Sequence, residues 1–246
     1  MLRVLSLETA TDRGGFALWS GKTTSDSVIT DHCHVFECPT GQPHAETLLP
    51  AIRTSLLTLG WDLSSIDAIV FDAGPGMFTG LRVSAALAQG LAYALDKPVV
   101  PISSLEVLAE AAHAACGATR VLGLLDARMN QIYAGCWIRQ NTGWVAEMDA
   151  CLVNPSGLDQ LAIRPDSSLH VAGTAVDEYP EAAAWLAHHQ IIDSRIRYPF
   201  ADALARLGAH GCVNGRCVDA SEALPVYVRD RVALTTAERA AGQSLP

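Results

Sequence analysis

The strongest constraint on the fold is a strand with no polar face. Residues 66–71 are apolar almost throughout, with Asp67 the one charge. A strand of that kind is buried on both sides, as in the centre of a sheet with helices on each face. It runs into a Gly-rich turn, Gly74 to Gly80, and then into a segment of helical periodicity that ends near Leu95. A buried strand feeding a helix through a short turn points to an α/β protein.

The flanking sequence extends this pattern. Residues 3–8 alternate as a strand does, Gly14 and Gly15 make a turn, and residues 16–19 return antiparallel. Residues 28–38 form a third run before Pro39, Gly41 and Pro43 break it. Ala45, Leu48, Leu49, Ile52, Leu56 and Leu59 then recur at helical spacing, and Gly60 ends that helix. Residues 98–102 read as a strand. Ser103 and Glu106 suit a capping box for a helix through Ala115. The second half starts the same order again, with strands at 121–126, 131–138 and 145–153, a short helix at 155–161, a strand at 169–173 and a helix at 200–210. Residues 175–197 show no clear pattern. Two copies of this order predict two mixed sheets side by side, with ligand or partner surfaces between them. The boundary falls near residues 116–120, giving an N-terminal subdomain 1–116 and a C-terminal subdomain 117–246.

Composition narrows the function classes. Half of the 246 residues are hydrophobic and 17% are charged, enough for a sizeable core and too apolar for disorder. The formal net charge of −9 disfavours a protein that grips a phosphate backbone over its whole surface, so a role on RNA is expected to run through a partner. Arg229, Arg231 and Arg239 lie beside Asp230 and Glu238 and read as a solvated face. The N-terminal apolar stretch is short and meets Glu8, which does not suit a signal peptide, and no run nears the ~18 apolar residues of a membrane span. Seven cysteines, an odd number without dense spacing, are expected to be reduced thiols of a cytoplasmic protein. Cys33 with Cys38 (near His32, His34 and His44) and Cys212 with Cys217 lack the tight knuckles of a zinc site and read as small buried hydrophobes. His188 and His189 read as an exposed helix end.

Two readings of the Gly-rich turn stand side by side. Gly74, Gly76, Thr79 and Gly80 can form a loop that offers backbone amides to a phosphate at a helix N-terminus. They can equally make a tight turn that sets how helix meets sheet, and the loop lacks the P-loop and dinucleotide signatures. The helix that follows alternates small residues (Gly80, Ser84, Ala85, Ala86, Ala88, Gly90, Ala92, Ala94) with Leu81, Val83, Leu87, Leu91 and Leu95. Its apolar positions cover more than one face, which suits burial on several sides. Asp126 and Arg128 suit either a site or a salt-bridged turn. Glu46 suits the positive end of its helix, and His44 a cap or a partner contact.

In order along the chain stand Leu5-Ser6-Leu7-Glu8-Thr9-Ala10-Thr11, His44-Ala45-Glu46, Gly74-Pro75-Gly76-Met77-Phe78-Thr79-Gly80-Leu81-Arg82, Asp126-Ala127-Arg128 and Pro225-Val226-Tyr227-Val228-Arg229. This succession, above all the Gly-Pro-Gly-x-Phe-Thr-Gly block, resembles the TsaB (YeaZ) family of tRNA threonylcarbamoyladenosine biosynthesis proteins over nearly the whole chain. The resemblance implies a duplicated actin-like (ribonuclease H-like) fold. It also implies a non-catalytic subunit for threonylcarbamoyl transfer to adenosine 37 of tRNA, one that binds and activates the catalytic subunit TsaD. The ATPase TsaE joins the pair, the chain alone forms a homodimer, and tRNA is reached only through the complex. The implied contact is a four-helix interface through segments 45–59 and 79–95, here Leu48, Leu49, Ile52, Leu56, Thr79, Gly80, Val83, Ser84, Leu87, Ala88 and Leu91. Related TsaD proteins carry two histidines four apart at the start of the next helix. The matching positions here are Ser104 and Leu108, so no metal and no catalytic residue is expected. Actin-like nucleotide sites usually open with Asp-x-Gly-x-Thr, and here Ala10 replaces the glycine. No resident cofactor is expected, with nucleotide at the subunit contact left open. The rival reading from the same superfamily is a metallopeptidase-like or ATP-hydrolysing enzyme.

Overall fold

A computed structural model describes residues 1–141 and 143–229. The first strand, β1 (Leu2–Glu8), pairs antiparallel with β2 (Gly15–Thr23), which pairs with β3 (Val28–Glu37). On its other side β1 pairs parallel with β4 (Ala68–Gly74), and β4 with β5 (Val99–Ser103). All seven residues of β4 are buried, as its unbroken apolar sequence requires. The first sheet thus has the order β3-β2-β1-β4-β5.

The second sheet repeats it. Strands β6 (Arg120–Asp126), β7 (Ile132–Gln140), β8 (Gly143–Val153), β9 (Leu169–Ala172) and β10 (Ile192–Asp193) lie in the order β10-β9-β6-β7-β8. Taken from the other edge, that is the first order strand for strand, with β6 in the place of β1 and β9 in the place of β4. The chain is a duplicated α/β fold of the ribonuclease H-like type.

Six α-helices occur among the described residues: α1 (His44–Leu59), α2 (Phe78–Leu95), α3 (Ser104–Cys116), α4 (Ala175–Glu178), α5 (Pro180–His189) and α6 (Ala201–Val213). Glycine at φ 64° (Gly60) closes α1, and Asp96 at φ 53° closes α2. The short helix expected after β8 is a 3₁₀ helix, Pro155–Gln160. One sequence expectation needs correction. Ser103 caps α3 by accepting from the Leu105 amide, but Glu106 does not return the bond; its carboxylate takes both guanidinium nitrogens of Arg216 at 2.6 and 2.9 Å. The unpatterned residues 175–197 prove to be α4, α5 and the two-residue β10, elements too short to show a period. They pack Ala182, Trp185 and Leu186 under β6 and β9.

The two halves exchange helices. Helix α3, from the first half, lies on the second sheet, where Leu105 fills the space left by Gly123 and Gly135. Helix α6, from the second half, lies on the first sheet. A Cβ on Gly208 would come within 2.1 Å of Val70, so glycine lets that helix touch β4. The packing therefore crosses from one repeat into the other.

Where the exchanged helices meet, the core contains a charged knot. Glu110 of α3 accepts from Arg139 of β7 (2.9 Å), Arg206 of α6 (3.2 Å) and the Trp144 indole of β8 (3.0 Å). The carboxylate is about nine-tenths buried. Its removal would leave Arg139 without its carboxylate and Arg206 with Asp202 alone, in a low-dielectric place. Glu110→Ala is expected to cost about 3–5 kcal/mol in urea unfolding, and Glu110→Gln clearly less.

Candidate functional site

The Gly-Pro-Gly loop between β4 and α2 is pressed against the first hairpin. The Met77 amide donates to the Ala10 carbonyl at 2.7 Å, and the Thr9 hydroxyl donates to the Gly80 carbonyl at 2.7 Å. A Cβ on Gly76 would lie 2.4 Å from the Ala10 oxygen, and one on Gly80 would lie 1.8 Å from the Thr9 oxygen. The Gly74 amide is taken by Asp72 at 2.8 Å. Gly74, Gly76 and Gly80 are thus spent on folding the loop onto the chain itself. The close approach of Gly76 and Gly80 to the hairpin backbone supports the reading of this segment as a tight turn that sets how helix meets sheet. Of the four, Thr79 alone is exposed.

Beneath the loop sit two buried acids. Glu8 ends β1 and Asp72 lies in the neighbouring strand β4, both essentially without exposure. Glu8 accepts from the Ala10 amide at 2.7 Å. One oxygen of Asp72 accepts from Gly74 and from the Ser104 hydroxyl (2.5 Å), and the other has no partner among the described residues. Burial pushes Asp72 up to about 7, against the opposing pull of its bonds from Ser104 and Gly74. Glu8 is raised well above the ordinary carboxyl range, first by burial and then by the charge of Asp72. Glu8 was visible in sequence as a strand-end acid. Asp72 was overlooked, although a charge next to the run Ile69-Val70-Phe71 was a signal that something buried must answer it.

Helices α1 and α2 lie side by side over the first sheet. Leu48, Gly80, Ser84 and Ala88 are committed to the chain's own core, and Ile52 and Leu56 are nearly so, forming only the floor of a groove. These six positions of the expected interface cannot project into a partner, because their helical faces point at the sheet. The outward face carries Val83, Leu87 and Leu91 as a half-buried stripe on α2, with Leu49 (48% exposed) and Leu57 (74%) on α1. Tyr93 and Leu57 were not among the residues picked from sequence, yet Tyr93 is 86% exposed at the end of the same helix. Between the helices runs a groove of 830 Å³ lined by Leu49, Arg53, Leu57, Trp61, Leu63 and Leu91, among others. Gly90 lies on the exposed side, and nothing stands within 4 Å of where its Cβ would be.

The remaining candidates resolve mostly into structure. Asp126 accepts from the Arg128 amide and the Tyr179 hydroxyl and pairs with the Arg128 guanidinium at 3.0 Å, a salt-bridged turn. His44 does not cap α1; its ring fills the space over Gly14, and burial lowers its pKa. Ser104 is buried against Asp72, and Leu108 is in the core. Burial raises Cys33 and Cys38 to about 11. Among the described residues no group of three or more His, Cys, Asp or Glu is placed to hold a metal ion, and no helix is long and apolar enough to cross a membrane. His189 is tied to Asp159 at 3.2 Å. Arg231 and Arg239 lie outside the described residues.

One feature came from distance along the chain. Residues 217–229 return to the Gly-Pro-Gly loop: Val218 bridges to Val99, Gln89 donates to the Ala223 carbonyl, and the Val226 amide donates to the Ala73 carbonyl at 2.7 Å. Tyr227 stacks near Phe78, and Arg229 reaches the loop after β6.

The repeated strand order, with a Gly-rich loop clasped to the first hairpin, defines a protein of the actin-like (ribonuclease H-like) class. Residues 39–167 match the family of TsaD, tRNA N6-adenosine threonylcarbamoyltransferase. The tRNA threonylcarbamoyladenosine biosynthesis protein TsaB of Escherichia coli (strain K12) is 30% identical over 233 residues, covering 94% of this chain and 96% of its own length. That of Haemophilus influenzae is 31% identical over 241 residues, covering 94% and 95%. The structure of YeaZ from Pseudomonas aeruginosa superposes with a TM-score of 0.76 at 30% identity, covering 92% of this chain and 100% of that one. A Pseudomonas aeruginosa protein described as similar to peptidase YeaZ gives 0.77 at 31% identity, covering 93% and 100%. The chain belongs to the TsaB family, and membership ties it to the biosynthesis of threonylcarbamoyladenosine in tRNA.

The buried acids set a pH dependence. A carboxyl whose folded pKa exceeds its unfolded value holds its proton longer in the fold, so stability is highest below the unfolded value near 4 and falls as pH rises toward about 7. Asp72→Asn is expected to flatten that decline between roughly pH 4 and 7 in thermal melts followed across pH.

Proposed function

We propose that this chain is a non-catalytic subunit that pairs with the catalytic TsaD protein and holds it in an active arrangement. The observation that carries this is the outward apolar face of α1 and α2. Val83, Leu87 and Leu91 repeat at four-residue intervals, and Leu49 and Leu57 continue the face across the groove. Exposed aliphatic side chains in a continuous stretch mark a surface that a partner covers. Gly90 supports the reading. A glycine inside a helix costs about 1 kcal/mol against alanine, and here its own fold gains no close contact from it. A second helix approaching along that side would gain one.

Two features support an accessory part rather than the chemical one. Ser104 and Leu108 stand where the transferase relatives carry metal-binding histidines, and both are buried in structural contacts. The Gly-rich loop packs closely on the first hairpin, as a turn that sets how helix meets sheet would. In this reading the ATPase TsaE joins the pair, tRNA is engaged by the assembly, and the same helical face closes a homodimer when the catalytic partner is absent. Nucleotide, if required, sits at the contact between subunits.

Leu87→Arg places a charge in the centre of the face, at a half-buried side chain that also packs on the core. A thermal melt of the isolated variant, expected to stay cooperative, separates loss of pairing from loss of folding. Co-purification with the catalytic partner should be lost, and threonylcarbamoyladenosine in tRNA should fall in cells that carry the variant alone. Unchanged pairing and unchanged modification would refute the proposal.

A further inference from the structure

The interlobe cleft beside the Gly-Pro-Gly loop lies apart from the helical face. Its volume is 300 Å³, and residues 226–229 form one of its walls. At its rim the Phe78 and Tyr227 rings lie 5.3 Å apart, and the Arg82 guanidinium sits 3.9 Å above the Phe78 ring while its Nε donates to the Tyr227 hydroxyl. Both rings are exposed, at 38% and 44%. Within the cleft, Tyr133 is 8% exposed. Burial raises its pKa, so it stands there as a neutral donor.

The opposite wall is the loop after β6. Arg128, Met129 and Asn130 all have φ between 55 and 60°, a left-handed run that non-glycine residues seldom adopt. Arg229 holds it there, donating to the Ala127 carbonyl at 3.0 Å and to Gln131 at 2.6 Å. The Arg128 guanidinium is left 65% exposed at the cleft. Three arginines thus gather around one opening of a chain whose net charge is −9. The nearby acid, Asp126, is already bonded by Tyr179 and Arg128.

We propose that this cleft binds single-stranded RNA, with a base laid on the Phe78–Tyr227 ring pair and an adjoining phosphate facing Arg128 and the Tyr133 hydroxyl. Stacked rings accept any base, and nearby cations track the backbone. A pocket for a free nucleotide encloses most of its ligand, whereas both rings here stand on an open rim. An acidic peptide would use the arginines and leave the ring platform without a purpose. The choice of RNA follows from the family's tie to tRNA; the site itself is separate from the α1–α2 face and does not depend on pairing there.

The test is fluorescence anisotropy of a labelled RNA of about 12 nucleotides with the full chain at low salt. Binding should weaken with added salt. Phe78→Ala and Tyr227→Ala should each weaken it roughly tenfold. Tyr227→Phe, which keeps the ring, should retain binding and so separate stacking from misfolding. Arg128→Gln should reduce the log–log salt slope by about 1. Leu87→Arg should bind RNA as the parent does, which keeps this result distinct from the pairing test. Absence of binding at low salt, unchanged binding by the ring variants, or equal competition by polyglutamate or AMP would each overturn the assignment.

Discussion

The structure rests on the contact between the first hairpin and the Gly-Pro-Gly loop. Two strands that are parallel neighbours, β1 and β4, must both turn sharply at the same end of the sheet, and their turns compete for one volume. Glycine at 76 and 80 resolves the competition by letting backbone lie on backbone at Ala10 and Thr9. Everything nearby depends on that closeness: the direction in which α2 leaves, the seat of residues 225–229 on the loop, and the burial of Glu8 and Asp72 beneath it. A sequence that conserves space so strictly at one corner has little freedom left there for a ligand.

Burying two acids under that corner is costly in a low-dielectric interior, and the protein limits the cost by letting them keep protons. The Glu110 knot solves the burial problem differently, with two arginines and an indole arranged around one carboxylate. The difference lies in what each acid faces. Asp72 meets a hydroxyl, an amide and another acid, whereas Glu110 meets two guanidinium groups.

Much of the fold was legible in the sequence, because its longest elements carry clear periods. The apolar run before Phe71, the leucines of α1 and the small residues of α2 each predicted their element, and the repeat of element order predicted two sheets. The short pieces α4 and β10 were not legible, since four residues and two residues cannot show a period. The candidate surface was read only by half. Helical spacing marked the correct two helices, but spacing alone does not say which side of a helix meets the sheet, so Leu48, Ser84 and Ala88 were grouped with Leu87 and Leu91. The cleft was missed because it is assembled from Phe78, Arg128, Tyr133 and Tyr227, which lie far apart in sequence and are joined only by the return of the C-terminal segment.

The exchange of α3 and α6 has a further meaning. Each sheet has one of its faces covered by a helix made from the other repeat, with Gly208 on Val70 and Leu105 under Gly135 as the points of closest fit. Neither half therefore has a complete interior of its own, and cutting between them would strip both sheets at once.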